Sequence, residues 1–429
     1  MRKGYVNAII LLLLFIFSTG RAESQLDDNV WPMLHRDMFH TGSSPFGGPA
    51  VDKMIIRKIV DVQAGNASPI IGSDGTVYIG SQDGCVYAVD PAEHESICLF
   101  EAESPVEATP IIASDGSLYF AALSGSVYGL KPDGTQKWAP LLLGDTIKAT
   151  PALGQNGVLY VAVEDNGGVL FAIDTETGSV LWEFALGDIG YLTPAIDQFG
   201  NIYAGTMQGS LFSISVTGTL RWRHDAGESI VASPVISPDG TVYIATASAL
   251  HAFDGFDGAL RWTYEPEAMV EGEPIPGTLA SSPVLGPDGR IFFAGVEGDI
   301  HCIIEKDGSV TQQWSQTLDY PLLFGVKINA LIFAAPLLDR NGVLYVRARQ
   351  YTLEGDEQVV LYTLDVSSGE ILGSFNEFEA LDAAQASSQD TLLALGADAT
   401  LYLVMSNGML YVLGAEIDAY EVSGSIAQV

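Results

Sequence analysis

Basic residues are scarce in this chain. Only 19 Lys and Arg stand against 53 Asp and Glu, a formal charge of −34 over 429 residues. A field of that sign repels phosphate, which argues against nucleic acid and anionic lipid as partners; cations, basic proteins or a salty medium fit better, and a solvated acidic surface that keeps an exported protein soluble is the leading reading. Cysteine is scarcer still. Cys85, Cys98 and Cys302 are the whole set; no two are adjacent, and no C-x-x-C-H run that would attach a c-type haem occurs. The chain also has no H-E-x-x-H, no G-x-S-x-G and no glycine-rich phosphate-binding loop, so the common zinc-hydrolase, serine-hydrolase and nucleotide chemistries have no anchor in it.

Long apolar runs are missing too, with one exception at the start. Arg2 and Lys3 precede an apolar run over 8–17, and Gly20 and Ala22 provide the small residues a signal peptidase favours. The run is short for a membrane span and reads as a signal peptide over 1–22. Its removal takes Arg2, Lys3 and Arg21 and no acid, so the charge becomes −37. No Cys lies near the expected cut, so no lipid attachment is expected, and the location is periplasmic or extracellular. In an oxidising compartment Cys85 and Cys98, on adjacent strands of one expected hairpin, are within range of a disulfide if the register allows; both outcomes stay open. Cys302 is then a buried small hydrophobe.

What the sequence has in abundance is glycine, 46 residues, set between short β-type runs. The stretch SPVISPDGTVYIATASALHAFDGFDGALRW, 233–262, shows the unit: an apolar run opened by Pro, an Asp-Gly turn, a β-branched and aromatic run, and two further runs with a second turn between them. Gly takes positive φ without steric penalty, so Asp-Gly between alternating apolar runs marks hairpins. The opening Pro recurs at Pro69, Pro110, Pro151, Pro194, Pro234, Pro283 and Pro336, at spacings of 41, 41, 43, 40, 49 and 53, and Leu393 stands in its place in an eighth copy.

Aromatic columns run through the copies. The second strand carries Tyr78, Tyr119, Tyr160, Tyr203, Tyr243, Phe292, Tyr345 and Tyr402. The third carries Tyr87, Tyr128, Phe171, Phe212, His251, His301, Tyr362 and Tyr411, so His251 and His301 read as packing residues rather than metal ligands. A fourth-strand Trp appears at Trp138, Trp182, Trp222, Trp262 and Trp314, with Cys98 in its place in the first unit and Gly373 in the seventh. His35 and His40 match no strong zinc spacing, and DGFDG at 254–258 lacks the oxygen ligands of a calcium loop. Eight four-stranded antiparallel units that cannot bury both faces alone predict an all-β, eight-bladed propeller. It occupies 51–429 as one domain, after a lead-in over 23–50. The run MIIRKIVDV, 54–62, is the expected closing strand from the N-terminal end; the competing candidate is the tail after Gly414.

The repeat SP-x4-DG-x-VY-x-GS-x-DG-x-LYALD-x2-TG-x2-LW resembles that of the pyrroloquinoline quinone (PQQ) enzymes and their non-enzymatic relatives, best matched by the third unit. The segment WPMLHRDMFHTGSSP, 31–45, is similar to the opening of many exported proteins of this kind. The resemblance covers roughly 31–414 and implies a PQQ-like propeller. Quinone dehydrogenases of the family place an adjacent Cys-Cys disulfide, Ca²⁺ ligands and a catalytic Asp around the quinone, and none of these can be matched here. The expectation is therefore no PQQ, no Ca²⁺ and no catalytic residue. The other relative is the propeller scaffold subunit of the outer-membrane β-barrel assembly machinery.

Irregularity between units marks a candidate site. In an up-and-down blade, second-to-third and blade-to-blade connections share one face. Long connections occur at 264–281, 315–334 and 376–392, with a long second-to-third connection at 347–358. These carry Glu271 and Glu273, then Tyr320 and Phe324, then Tyr351, Glu354, Asp356 and Glu357. Aromatics mixed with acids on loops of a rigid scaffold suit a protein partner. The reading is an exported, monomeric, non-catalytic scaffold bound to another exported or envelope protein. A PQQ-dependent dehydrogenase and a carbohydrate- or polymer-binding surface protein are the alternatives.

Overall fold

The computed structural model describes residues 31–415, apart from 91, 94, 145, 165–166, 188–189, 191, 271–272, 280, 322–326, 352–356, 377–391 and 406. The expected signal peptide and the tail after 415 lie outside the described residues. Eight four-stranded antiparallel sheets follow one another along the chain as blades 1–8. Blade 3 shows the pattern: a two-residue inner strand, Ala152–Leu153, then Val158–Val163, Val169–Asp174 and the outer Val180–Ala185. In blade 8, Met54–Asp61 pairs as the outer strand with Met409–Ala415, so the last blade holds both ends of the ring. The fold is the all-β, eight-bladed propeller of the repeat argument, with a short 3-10 turn at Val51–Lys53 ahead of the ring's first strand.

Burial follows strand position. Second and third strands are almost continuously buried, as in Val158–Val163, whereas outer strands alternate, as in Val180–Ala185. A blade therefore has two sticky faces and one wet edge, and the aromatic columns hold neighbouring blades together. Tyr160 and Trp182 of blade 3 lie 5.8 Å apart; Trp182 then presses on the turn of blade 4, where its indole donates to the Val216 carbonyl at 3.0 Å. A Cβ on Gly218 would lie 2.6 Å from the Trp182 ring, and the residue has φ +80°. The same docking recurs for Trp138 on Gly178, Trp222 on Gly258 and Trp314 on Gly369.

Departures have local causes. Blade 6 turns between its last strands through Asp307 and Gly308, both at positive φ, a two-residue hairpin with no room for the docking loop; Trp262 bonds Glu305 Oε2 at 2.7 Å instead. In blade 7, Val51 fills the space over Gly373. In blade 1 the docking residue is Leu99, against Gly134, and not Cys98 as the alignment of units suggested. Cys98 instead bonds Cys85 in a disulfide across the third and fourth strands, with Cα atoms 5.6 Å apart. DGFDG is a turn: the Phe256 amide donates to Asp254 Oδ1 at 2.8 Å, and the Gly255 carbonyl accepts from Tyr203 and Trp222 of the previous blade.

The lead-in is woven into the ring. Inner strands face the axis with an unpaired edge, and the segment from Trp31 supplies partners to six of them. Amides of Ile71, Ile112, Ile196, Ile236, Leu285 and Leu338 donate to carbonyls of Trp31, Pro32, Met38, Phe39, Thr41 and Gly42 at 2.8–3.2 Å. Because Gly218 combines positive φ with a ring packed on its Cα, Gly218→Ala should lower stability by about 1–3 kcal/mol in urea unfolding. Gly227→Ala also sits at positive φ but meets no neighbour, so it should cost less.

Candidate functional site

Paired strands are described in three of the four insertions. Glu267–Val270 pairs with Glu273–Pro276 between blades 5 and 6, and Asp319–Pro321 pairs with Lys327–Asn329 between blades 6 and 7. In blade 7, Val343–Tyr351 and Glu357–Asp365 extend the second and third strands well past those of other blades. Strand parity puts all three on the face that carries blade-to-blade connections. Tyr351 and Glu357 are cross-strand partners at the tip of the long hairpin, Glu273 begins a strand, and Tyr320 is central in its short strand. Glu271, Phe324, Glu354 and Asp356 lie outside the described residues, as does most of the connection at 376–392.

A cavity of about 260 Å³ opens on this same face at the axis. Among the described residues, its rim is built by those three before an opening Pro: Asn66, Glu107 and Lys148 on blades 1–3, with Val231 and Phe333 opposite. Asn66 Nδ2 donates to Glu107 Oε2 at 3.2 Å, and Lys148 Nζ pairs with Glu164 Oε2 at 2.9 Å. Below the rim, the residues just before each Pro form a hydroxyl belt. The Leu392 amide donates to Ser68 Oγ at 2.9 Å, Ser68 to Thr109 Oγ1 at 2.9 Å, Thr109 to Thr150 Oγ1 at 3.1 Å and Thr193 to Ser233 Oγ at 3.0 Å. The first of these bonds joins the last blade to the first. Sequence reasoning used these Ser-Pro and Thr-Pro pairs only to count units. Reading the columns one and three places before each Pro was the signal that would have located the cavity.

The floor is the lead-in. His35 lines it, and His40, with ring centroid 5.5 Å away, bonds the Pro234 carbonyl through Nδ1 at 2.9 Å. Burial brings His35 down to about 3, helped by His40, and brings His40 down to about 4. Both are neutral packing groups at neutral pH. His251 hydrogen-bonds Thr246 and Thr263, and His301 is buried against Phe293 with ring centroids at 5.1 Å. No ring nitrogen of His301 has a hydrogen-bond partner, and burial brings it down to about 4, only partly offset by nearby Gln312. Burial also pushes the Cys302 thiol up to about 12, leaving it inert.

The described residues of the site do not supply the ligands of a quinone held with a divalent cation: among them Glu107 is the one carboxylate lining the cavity, and no group of three His, Cys, Asp or Glu could hold a metal. The disulfide lies in the outer half of blade 1, on its third and fourth strands, not beside the axis.

His301 makes stability pH-dependent. Its folded pKa is below the unfolded value of 6.5, so the unfolded chain takes up a proton the folded one refuses. Stability from this group is full above 6.5 and is lost as pH falls toward 4. Between about pH 7.5 and about pH 5 the loss should be roughly 2 kcal/mol. His301→Phe should remove that part of the slope in urea unfolding at the two pH values.

Comparison with known proteins agrees with this architecture. The family described as outer membrane protein assembly factor BamB matches residues 58–183 and 123–317, overlapping spans of the kind a repeat produces. No curated protein sequence matches the chain. Among solved structures, BamB from Moraxella catarrhalis is 15% identical, with 84% of this chain and 99% of that one covered at a TM-score of 0.59. A europium-containing methanol dehydrogenase is 12% identical, covering 90% and 98%, at 0.66. Quinohemoprotein alcohol dehydrogenase from Comamonas testosteroni is 13% identical, covering 94% and 83%, at 0.65. At such identities the likeness to solved structures establishes the fold alone. The sequence match spans more than half of the chain and carries the stronger conclusion: this PQQ-like propeller belongs to the family of the outer membrane protein assembly factor BamB.

Proposed function

We propose that the chain is an exported, non-catalytic scaffold whose protein partner docks on the face built by the insertions of blades 5–7. The supporting observation is their geometry. Two additional hairpins and one lengthened hairpin rise from consecutive blades on one face, while blades 1–4 keep short connections there. Membership of the BamB family supports a partner that is itself a protein of the envelope. The strongly acidic composition favours a partner surface rich in Lys and Arg, with the acids setting encounter rate and salt dependence more than final affinity.

The dehydrogenase reading draws on the fold neighbours. It is the less supported one because the described lining of the axial cavity offers a single carboxylate, Glu107, toward a cation. Glu273, Tyr320, Tyr351 and Glu357 are the docking residues whose strands are described; Glu271, Phe324, Glu354 and Asp356 complete the set.

Affinity capture from an envelope extract of the native cell tests this reading. Deleting 353–357 together with Tyr320→Ala should reduce recovery of the captured protein at least about tenfold while leaving the unfolding midpoint near that of the parent. Unchanged recovery would sink the docking face. Dependence of capture on salt should follow the charge argument, with recovery falling as ionic strength rises.

A further inference from the structure

We propose that the axial cavity is a binding site for a single pyranose ring, separate from partner docking on the surrounding hairpins. The cavity is graded: Asn66, Glu107, Lys148, Val231 and Phe333 at the rim are half-buried, while Ser68, Thr109, Thr150 and Ser233 below are buried. It is therefore open to solvent and closed at the lead-in floor. Its volume, about 260 Å³, lies just under the usual range for drug-sized ligands, which suits one ring and not an extended cofactor.

The hydroxyl belt decides the chemistry. Each of Ser68, Thr109, Thr150 and Ser233 accepts a backbone amide from a neighbouring blade, so one lone pair is used. No protein acceptor takes their O–H among the described residues, leaving a wall of hydroxyl donors. Ser281, 6% exposed and on the same cavity, has an Oγ with no hydrogen-bond partner among the described residues. A buried polar atom left unpaired carries a desolvation cost that a ligand's hydrogen bond would remove.

Charge separates a neutral polyol from a zwitterion. Lys148 is already paired with Glu164, and Glu107 already accepts from Asn66. Lys148 already has its counter-ion; Glu107 is hydrogen-bonded by a neutral amide and keeps its charge, and Asn66 and Glu107 together present a planar donor and acceptor pair at the rim, suited to vicinal hydroxyls. The opposite wall is apolar. Phe333 has the Arg349 guanidinium 5.5 Å from its ring centroid on one side and lines the cavity with the rest of its surface. A pyranose has the same division, with hydroxyls around its edge and a C–H face that packs on an aromatic ring.

Saturation-transfer NMR on the full mature chain tests the site, with methyl glucoside, methyl galactoside and N-acetylglucosamine as probes and lysine and glycine as zwitterionic controls. At least one pyranose should bind with a Kd on the order of 1 mM. Phe333→Ala should weaken it about tenfold, and Ala334→Phe should abolish it by filling the cavity. Val231→Phe, at the half-exposed rim, provides a second blocking variant if Ala334→Phe folds poorly. The proposal is overturned if no pyranose receives saturation, if binding survives a folded blocking variant, or if the amino acids bind and the sugars do not. These variants leave the hairpins intact, so partner capture should be unaffected, and loss of capture by hairpin deletion should leave sugar binding in place.

Discussion

An eight-bladed ring of four-stranded sheets leaves eight inner edges facing one axis, and the backbone groups on those edges have to be paired somewhere. Water alone would leave a wide wet channel, and a ninth sheet cannot fit. This chain divides the task between two devices. On one side the lead-in runs past the inner strands and lends them its carbonyls from Trp31 to Gly42. On the other, Ser and Thr just before the inner strands accept amides from the blade alongside. The cavity is what remains between them. Its floor, walls and polarity all follow from how the inner edges are satisfied.

Lateral cohesion rests on a second device, the tryptophan of one blade pressed on a glycine turn of the next. It is regular through blades 2–5 except where blade 6 has shortened its turn, and it is replaced by Val51 at blade 7 and Leu99 at blade 1. The blades that carry long insertions are thus near those where the docking is improvised. Much of the acidity also has a structural use. Asp74, Asp115, Asp133, Asp239, Asp288 and Asp398 each accept the amide two residues on in an Asp-Gly or Asp-Ala turn. Side-chain capping of this kind lets a short turn reverse the chain without leaving its backbone unpaired. The negative field is in part a by-product of making so many hairpins.

Two features stand out on one face of the ring: hairpins that depart from the repeat, and a cavity lined by the repeat's own columns. The hairpins of blades 5–7 and the axial cavity share a face but differ in kind. The hairpins present broad, partly extended backbone suited to a macromolecule. The cavity presents a small, graded pocket whose polar atoms are fixed by the ring itself. The fold accommodates both, because strand parity assigns them to one side while separate residues build them.

The sequence by itself determined the number of blades, their order, the aromatic columns and the face shared by the insertions, because each depends on local periodicity and on strand counting. His251 and His301 were legible as packing groups for the same reason. The disulfide between Cys85 and Cys98 was left open by the sequence, since it depends on register across one hairpin. Leu99, not Cys98, docks on Gly134 because a bulge shifts the strand by one residue there. Only the tertiary structure decided that the lead-in seals the axis and that residues about 40 apart in sequence form one belt. The belt positions share a repeat column, but that they touch across blades, and that the lead-in crosses the inner strands, is set only once the ring has closed.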